Sequence, residues 1–159
     1  MPKSLNFLCH ARALVCILTC LAGMSGASFA DEQVSILNPQ GAINPTGTWS
    51  VASKAGEYVF VAGMRGIDPQ TGDLVEDNEE RIRQGFENML HIAASEGGDA
   101  CDTVRLVVYV TDMYRYRPLV NQVQEELWID CPFPPRTIVE VDRLNDDDIF
   151  EVEGTFYIP

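Results

Sequence analysis

The apolar positions of this chain change period several times, and each change marks an element. Ile82, Phe86, Met89, Leu90 and Ala93 recur at three- and four-residue spacing, which places them on one face of a helix. Asp77 is the candidate cap of that helix, Glu80 completes a capping-box pattern, and Gly97-Gly98 ends it. The run TVRLVVYVTDM is β-branched, aromatic and nearly continuous in apolar character, as in a strand covered on both faces, and is assigned to residues 104–112. Leu119, Val120, Val123 and Leu127 define a second helix from about Arg115 to Ile129, with Pro118 tolerated near its start. PPRTIVEVDRL reads as a strand over 135–142, NDDD as a turn and IFEVEGTFYI as the last strand. Upstream, residues 49–54 pair with Tyr58–Val61 through a turn at Ala55–Gly56, and residues 31–48 read as an N-terminal arm rich in Asn, Pro and Gly.

The resulting order, β-β-α-β-α-β-β, predicts an α+β fold: one mixed sheet with both helices on one face. The strand–helix–strand unit makes two of the strands parallel, with a right-handed crossover. Nothing in the chain covers the second face of the sheet, which argues for oligomerisation. On the strand beginning at Arg136, alternation puts Arg136, Ile138, Glu140 and Asp142 on one face and Thr137, Val139 and Val141 on the other. The valines are expected against the helices, so Arg136 is expected on the uncovered face. The last strand follows after a short turn and is expected beside it, with Glu151 sharing that face. Two readings of the pair stay open: charges on a solvated sheet or a structural ion pair, or a pocket where a guanidinium forks a small carboxylate and a glutamate handles water.

The first thirty residues change the picture of where this happens. Lys3 and Arg12 precede the apolar run ALVCILTCLAGM, and SGASFA ends in small residues, with Ser28 and Ala30 suited to a cut after Ala30. That is the order of a secretory signal peptide, so a periplasmic or secreted protein with no membrane attachment after cleavage is expected; an upstream start on a cytosolic protein is the alternative. The chain holds 24 acidic and 11 basic residues, a net charge of −13; two of the basic residues fall within 1–30, so the remainder carries 9 against 24, or −15. Such a surface repels phosphate backbones, which excludes nucleic acid as a partner. No metal spacing is present. Cys101 and Cys131 each precede one strand of the parallel pair, at the same end of the sheet, where an oxidising compartment would permit a bridge.

Taken in order, GMRGIDPQTGDLV, FENM, VVYVTDM, Asn121, FPPRTIVEV and FEVEG resemble the RidA/YjgF family of imine/enamine deaminases, from about Trp49 to Tyr157. The resemblance implies a chorismate-mutase-like (YjgF-like) fold, a homotrimer with sites between subunits, and hydrolysis of small 2-imino or enamino carboxylic acids to the 2-oxo acid and ammonia, without cofactor or metal. It places the family's carboxylate-binding arginine on Arg136 and its water-positioning glutamate on Glu151. Gly63 and Ile138 match the backbone N–H donors to the carboxylate, and Asn121 a recurrent asparagine. Trp49 stands where many members have tyrosine, Ala62 where they often have serine, and Ile138 where they have cysteine, which makes the pocket less polar. Arg65 is either a loop residue or a second anion contact suited to a dicarboxylate. A trimer that binds small carboxylates without turning them over is the alternative function.

Overall fold

The computed structural model describes residues 33–159; the signal-peptide expectation for residues 1–30 lies outside them. The elements are β1 (Ser35–Leu37), β2 (Ala52–Ala55), β3 (Tyr58–Met64), α1 (Asn78–Ser95), β4 (Thr103–Val110), α2 (Met113–Leu127), β5 (Arg136–Glu140) and β6 (Phe150–Tyr157). They form one six-stranded sheet in the order β1-β2-β3-β6-β4-β5. Only β4 and β5 run parallel; the other pairs are antiparallel. The mixed sheet with two helices is therefore the expected one, with an added strand: the arm contributes β1, where Leu37 pairs with Ala52.

Local chemistry starts both helices. The Asp77 carboxylate accepts from the N–H groups of Glu79 and Glu80, and Asp112 accepts from that of Arg115. α2 begins at Met113, two residues earlier than the apolar stripe suggests, because Asp112 caps it. Pro118 thus sits in its second turn rather than its first, and the carbonyl it frees, on Tyr114, belongs to an exposed residue that water reaches.

α1 packs on β3 and β6, and α2 on α1, β4 and β5. Between the layers, the Phe86 ring meets Trp128 at 5.7 Å and Phe150 at 5.2 Å. Leu106, Val108, Val110, Phe150, Val152 and Phe156 are all buried on the helix side. The opposite face presents Ile36, Tyr58, Phe60, Val139 and Tyr157, all exposed.

Two expectations about the last strands fail. β5 and β6 are not neighbours, because β4 lies between them. The face assignment on β5 is also reversed. Arg136, Ile138 and Glu140 pair with Leu106, Val108 and Val110, the buried row of β4, so they lie on the helix side. Val139 takes the open face and is 38% exposed. The valines of an edge strand follow register rather than hydrophobicity, since the neighbouring strand sets which face each residue takes.

Candidate active site

Glu151 and Arg136 occupy different clefts. Glu151, on β6, pairs with Tyr109 of β4 and points to the open face of the sheet. On the other side of β6, β3 carries one extra residue: Val61 pairs with Gly154 and Met64 with Val152, which leaves a bulge at Ala62–Gly63. The bulge brings Gly63 under the glutamate. A Cβ on residue 63 would fall 1.9 Å from Glu151 Oε1, so only glycine fits beneath this carboxyl. The cleft holds about 250 Å³ and is lined by Trp49, Ala62, Gly63, Arg65, Asn145 and Glu151, among others.

Burial pushes the Glu151 carboxyl above the usual carboxylate range; Arg65 opposes this, and Asp148 and Glu153 add to it. Arg65, 11% exposed, is not a free loop residue. Its Nη1 donates to the Asn145 carbonyl at 2.6 Å and its Nη2 to the Asp146 carboxylate at 3.1 Å. The turn that receives it holds Asp146 and Asp147 at φ of 56° and 53°, a left-handed geometry that aspartate tolerates better than most residues. Behind it, fully buried Asp148 lies 3.9 Å from Arg65 and 3.7 Å from Arg81. Burial raises the Asp148 carboxyl as well, against the Ile149 N–H and the two arginines. Asn88, which the sequence pattern did not single out, is buried on α1 and donates to the carbonyls of Arg65 and Ile67, fixing the loop that follows the bulge.

Arg136 opens β5, the last strand of the sheet order. Its guanidinium donates through Nη2 to Asn121 Oδ1 at 2.7 Å and through Nη1 to Gln124 Oε1. Both partners are neutral amides on α2, and no carboxylate lies in salt-bridge range of Arg136 among the described residues. Burial, and then the charge of Arg117, lower its hold on the proton. Gln124 escaped the sequence reading. Its signal was a glutamine one helical turn from Val120 on the apolar stripe, and it is indeed buried.

The ladder also frees a donor beside this arginine. The Leu106 N–H donates to the Pro135 carbonyl and the Val141 N–H to that of Val110, so the odd-numbered residues of β5 turn their backbone groups toward β4. Alternation then directs the Arg136, Ile138 and Glu140 N–H groups to the open edge. A cleft of about 430 Å³ lies here, lined by Asn121, Gln124, Glu125, Phe133, Pro134 and Arg136. The Cys101–Cys131 disulfide, Cα–Cα 5.0 Å, ties the segment leading into Arg136 to the start of β4.

Within one chain the two clefts do not meet. Arg136 pairs with Leu106, and Glu151 pairs with Tyr109 on the opposite face of the same strand. Two strand spacings across and three residues along put their backbones on the order of 14 Å apart.

A single mixed sheet of this order, with a bulged glycine beneath a glutamate and an arginine at the free edge, defines a YjgF-like protein. The chain belongs to the RidA/YjgF family: residues 39–158 match the family model described as Endoribonuclease L-PSP. A RutC family protein of Pyrococcus horikoshii is 35% identical over 123 residues, which cover 77% of this chain and 96% of that protein. A structure titled as a probable translation initiation inhibitor from Rhodopseudomonas palustris is 48% identical, with a TM-score of 0.77 over 80% of this chain and 99% of that one. Escherichia coli TdcF, named a "putative reactive intermediate deaminase", is 28% identical over 75% of this chain and 93% of its own length. Its structure with bound serine superposes with a TM-score of 0.75 over 79% of this chain and 99% of that one.

Proposed function

We propose that this protein is a hydrolytic deaminase that releases ammonia from small 2-imino or enamino carboxylic acids, as a homotrimer whose sites form between subunits. The observation that carries the reading is the arginine without a carboxylate partner. Arg136 is held only by neutral amides beside the outward Ile138 N–H, the donor set that a planar carboxylate completes. The Glu151 cleft supplies the other half, and because the two lie on opposite faces of one sheet, a second copy has to bring them together. The exposed apolar face gives that copy a surface to pack on.

In this arrangement Arg136 and the amides of Ile138 and Gly63 hold the substrate carboxylate, with Trp49 and Asn121 lining the pocket. Glu151 takes a proton from a water as the water oxygen bonds to the imine carbon. With the imine nitrogen protonated at the outset, this addition gives a neutral carbinolamine. Glu151 returns its proton to that nitrogen, the hydroxyl gives up its own proton to Glu151 as the C=O bond forms, the C–N bond breaks, and ammonia and the 2-oxo acid leave. Most of the acceleration comes from positioning in a partly dry site. A glutamate whose pKa lies above the usual range suits both halves of this proton cycle.

The test is subunit complementation. Arg136→Ala and Glu151→Gln each abolish ammonia release from 2-iminopropanoate generated in situ. Mixed oligomers of the two recover activity, because some interfaces then carry both wild-type residues. No recovery on mixing, with both variants still oligomeric, rejects the shared site.

The disulfide favours a location outside the reducing cytosol, in line with cleavage of a signal after Ala30. Protein recovered from the periplasm should begin at Asp31 and titrate no free thiol. The same placement supports the second reading, a carboxylate-binding trimer, since enamines arise mainly from cytosolic enzymes; saturable pyruvate binding without ammonia release favours it. The net charge of −13 argues against RNA as the substrate, despite the family description.

A further inference from the structure

Most cations among the described residues have carboxylate partners: Lys54 with Glu96, Arg65 and Arg81 with Asp148, Arg83 with Glu79, Glu80 and Glu126, and Arg143 with Asp147. Arg115 lies over the Tyr116 ring at 5.2 Å. Arg105 stands on the open sheet face. Arg117 and Arg136 are left, and they are neighbours. Arg117, Asn121 and Gln124 follow one another at four and three residues on α2, a single stripe beside β5, and Arg136 bonds to the last two. The cleft around Arg136 and a second one of about 540 Å³, lined by Tyr114, Arg117, Pro118 and Glu140, share Asn121 as a common wall. The two positive charges oppose each other, and Arg117 is the charge that disfavours the ionised form of Arg136 after burial. Glu125 and Glu140 line the groove, and neither forms an ion pair with these arginines among the described residues; Glu140 Oε2 accepts the Met113 N–H at 2.6 Å at the start of α2. A chain with 24 acidic residues thus sets two arginines without carboxylate partners side by side.

We propose that Arg117 is a second anion contact, and that the α2–β5 groove selects a substrate with an acid group at each end: a 2-imino or enamino dicarboxylic acid, its 2-carboxylate on Arg136 and its distal carboxylate on Arg117. Arg117 lies four residues, about 6 Å of helical rise, from Asn121, which holds the Arg136 guanidinium, a spacing comparable to the span of a four- or five-carbon diacid. The proposal rests on the carboxylate reading of Arg136. It moves the second-anion role from Arg65, whose guanidinium is taken up by Asn145, Asp146 and Asp148. Tyr114, 95% exposed, forms the outer wall where the distal group would lie.

Calorimetric binding of 2-oxoglutarate and pyruvate to the full-length oligomer tests it, alongside ammonia release from 2-iminoglutarate and 2-iminopropanoate made in situ by an amino-acid oxidase. The wild-type protein should favour the diacid of each pair by about tenfold, and Arg117→Gln should erase that preference. Equal affinity for both acids, or an unchanged preference in Arg117→Gln, overturns the proposal. Dissociation of the oligomer by Arg117→Gln, seen in sedimentation, also overturns it by making Arg117 a subunit contact. Failure of the deaminase reading looks different: neither imine is hydrolysed, yet the binding preference still reports on Arg117. If Arg136→Ala leaves the binding of both acids intact, the carboxylate reading itself is wrong.

Discussion

The two clefts of this sheet are built on opposite plans. Around Glu151 everything is local and charge-balanced: a bulge in β3, a left-handed turn of aspartates, and Arg65 and Arg81 facing Asp148. Around Arg136 the positive charge is held by amides only and the strand edge is open. The first cleft can raise a carboxyl's pKa and move a proton; it has no cation left over for a substrate. The second can hold an anion, and Glu151 is not among its lining residues. Each half has the function the other lacks, so a chemistry needing both requires two chains.

The largest effect that would break this division is removal of either key side chain. Arg136→Ala should cost about 10³-fold in kcat/KM, and Arg136→Lys should restore little, because an ammonium cannot replace the two-pronged fork. Glu151→Gln should fall comparably, and in the wild-type protein the acidic limb of kcat should lie above the ordinary glutamate range, because burial raises this carboxyl. A limb near the ordinary carboxylate pKa would detach Glu151 from the chemistry.

Gly63→Ala comes next. Its Cβ would overlap Glu151 Oε1, so the carboxyl must swing away, and about 10²-fold in kcat should be lost while carboxylate binding, which keeps Arg136 and the Ile138 amide, weakens less. Equal loss of both would mean that the clefts are not separable halves.

Cutting the bridge sharpens the other side. Cys101→Ser with Cys131→Ser opens a 30-residue loop, worth about 3–4 kcal/mol on the chain-entropy account, and should lower Tm by roughly 10 °C. Below that melting point KM should rise more than kcat falls, since the tether leads to Arg136.

The smallest effect is on stability. Glu151 has a folded pKa above its unfolded value, so the folded state keeps a proton that the unfolded chain has already released, and stability declines as pH rises through that interval. Glu151→Gln removes the decline. It should melt on the order of 1–3 °C above wild type at neutral pH and show no advantage below the unfolded carboxylate pKa. A Glu151→Gln protein that melts below wild type at pH 7 would contradict the burial argument.

The elements themselves were legible in the chain. Asp77, the stripe from Ile82 to Ala93 and the apolar TVRLVVYV run define α1 and β4 through interactions within a few residues of each other. The parallel pairing of β4 with β5 followed from a helical crossover that permits little else. The arm was misread only at Ser35–Leu37, where pairing to β2 decides the matter and three residues carry too little pattern to announce it.

Residue types and spacing pointed by themselves to one mixed sheet with two helices, left Arg136 and Glu151 open between a structural ion pair and a site, and permitted a Cys101–Cys131 bridge without requiring it. Only the tertiary structure decided that β6 inserts between β3 and β4, and that the register of β5 and β6 on β4 puts the arginine and the glutamate on opposite faces. It alone committed Arg65 to a turn eighty residues away and left Arg117 beside Arg136. The reason is physical: helix and strand periods are set by neighbours along the chain, whereas the face a strand residue takes and the partner a charge finds depend on register between segments far apart in sequence.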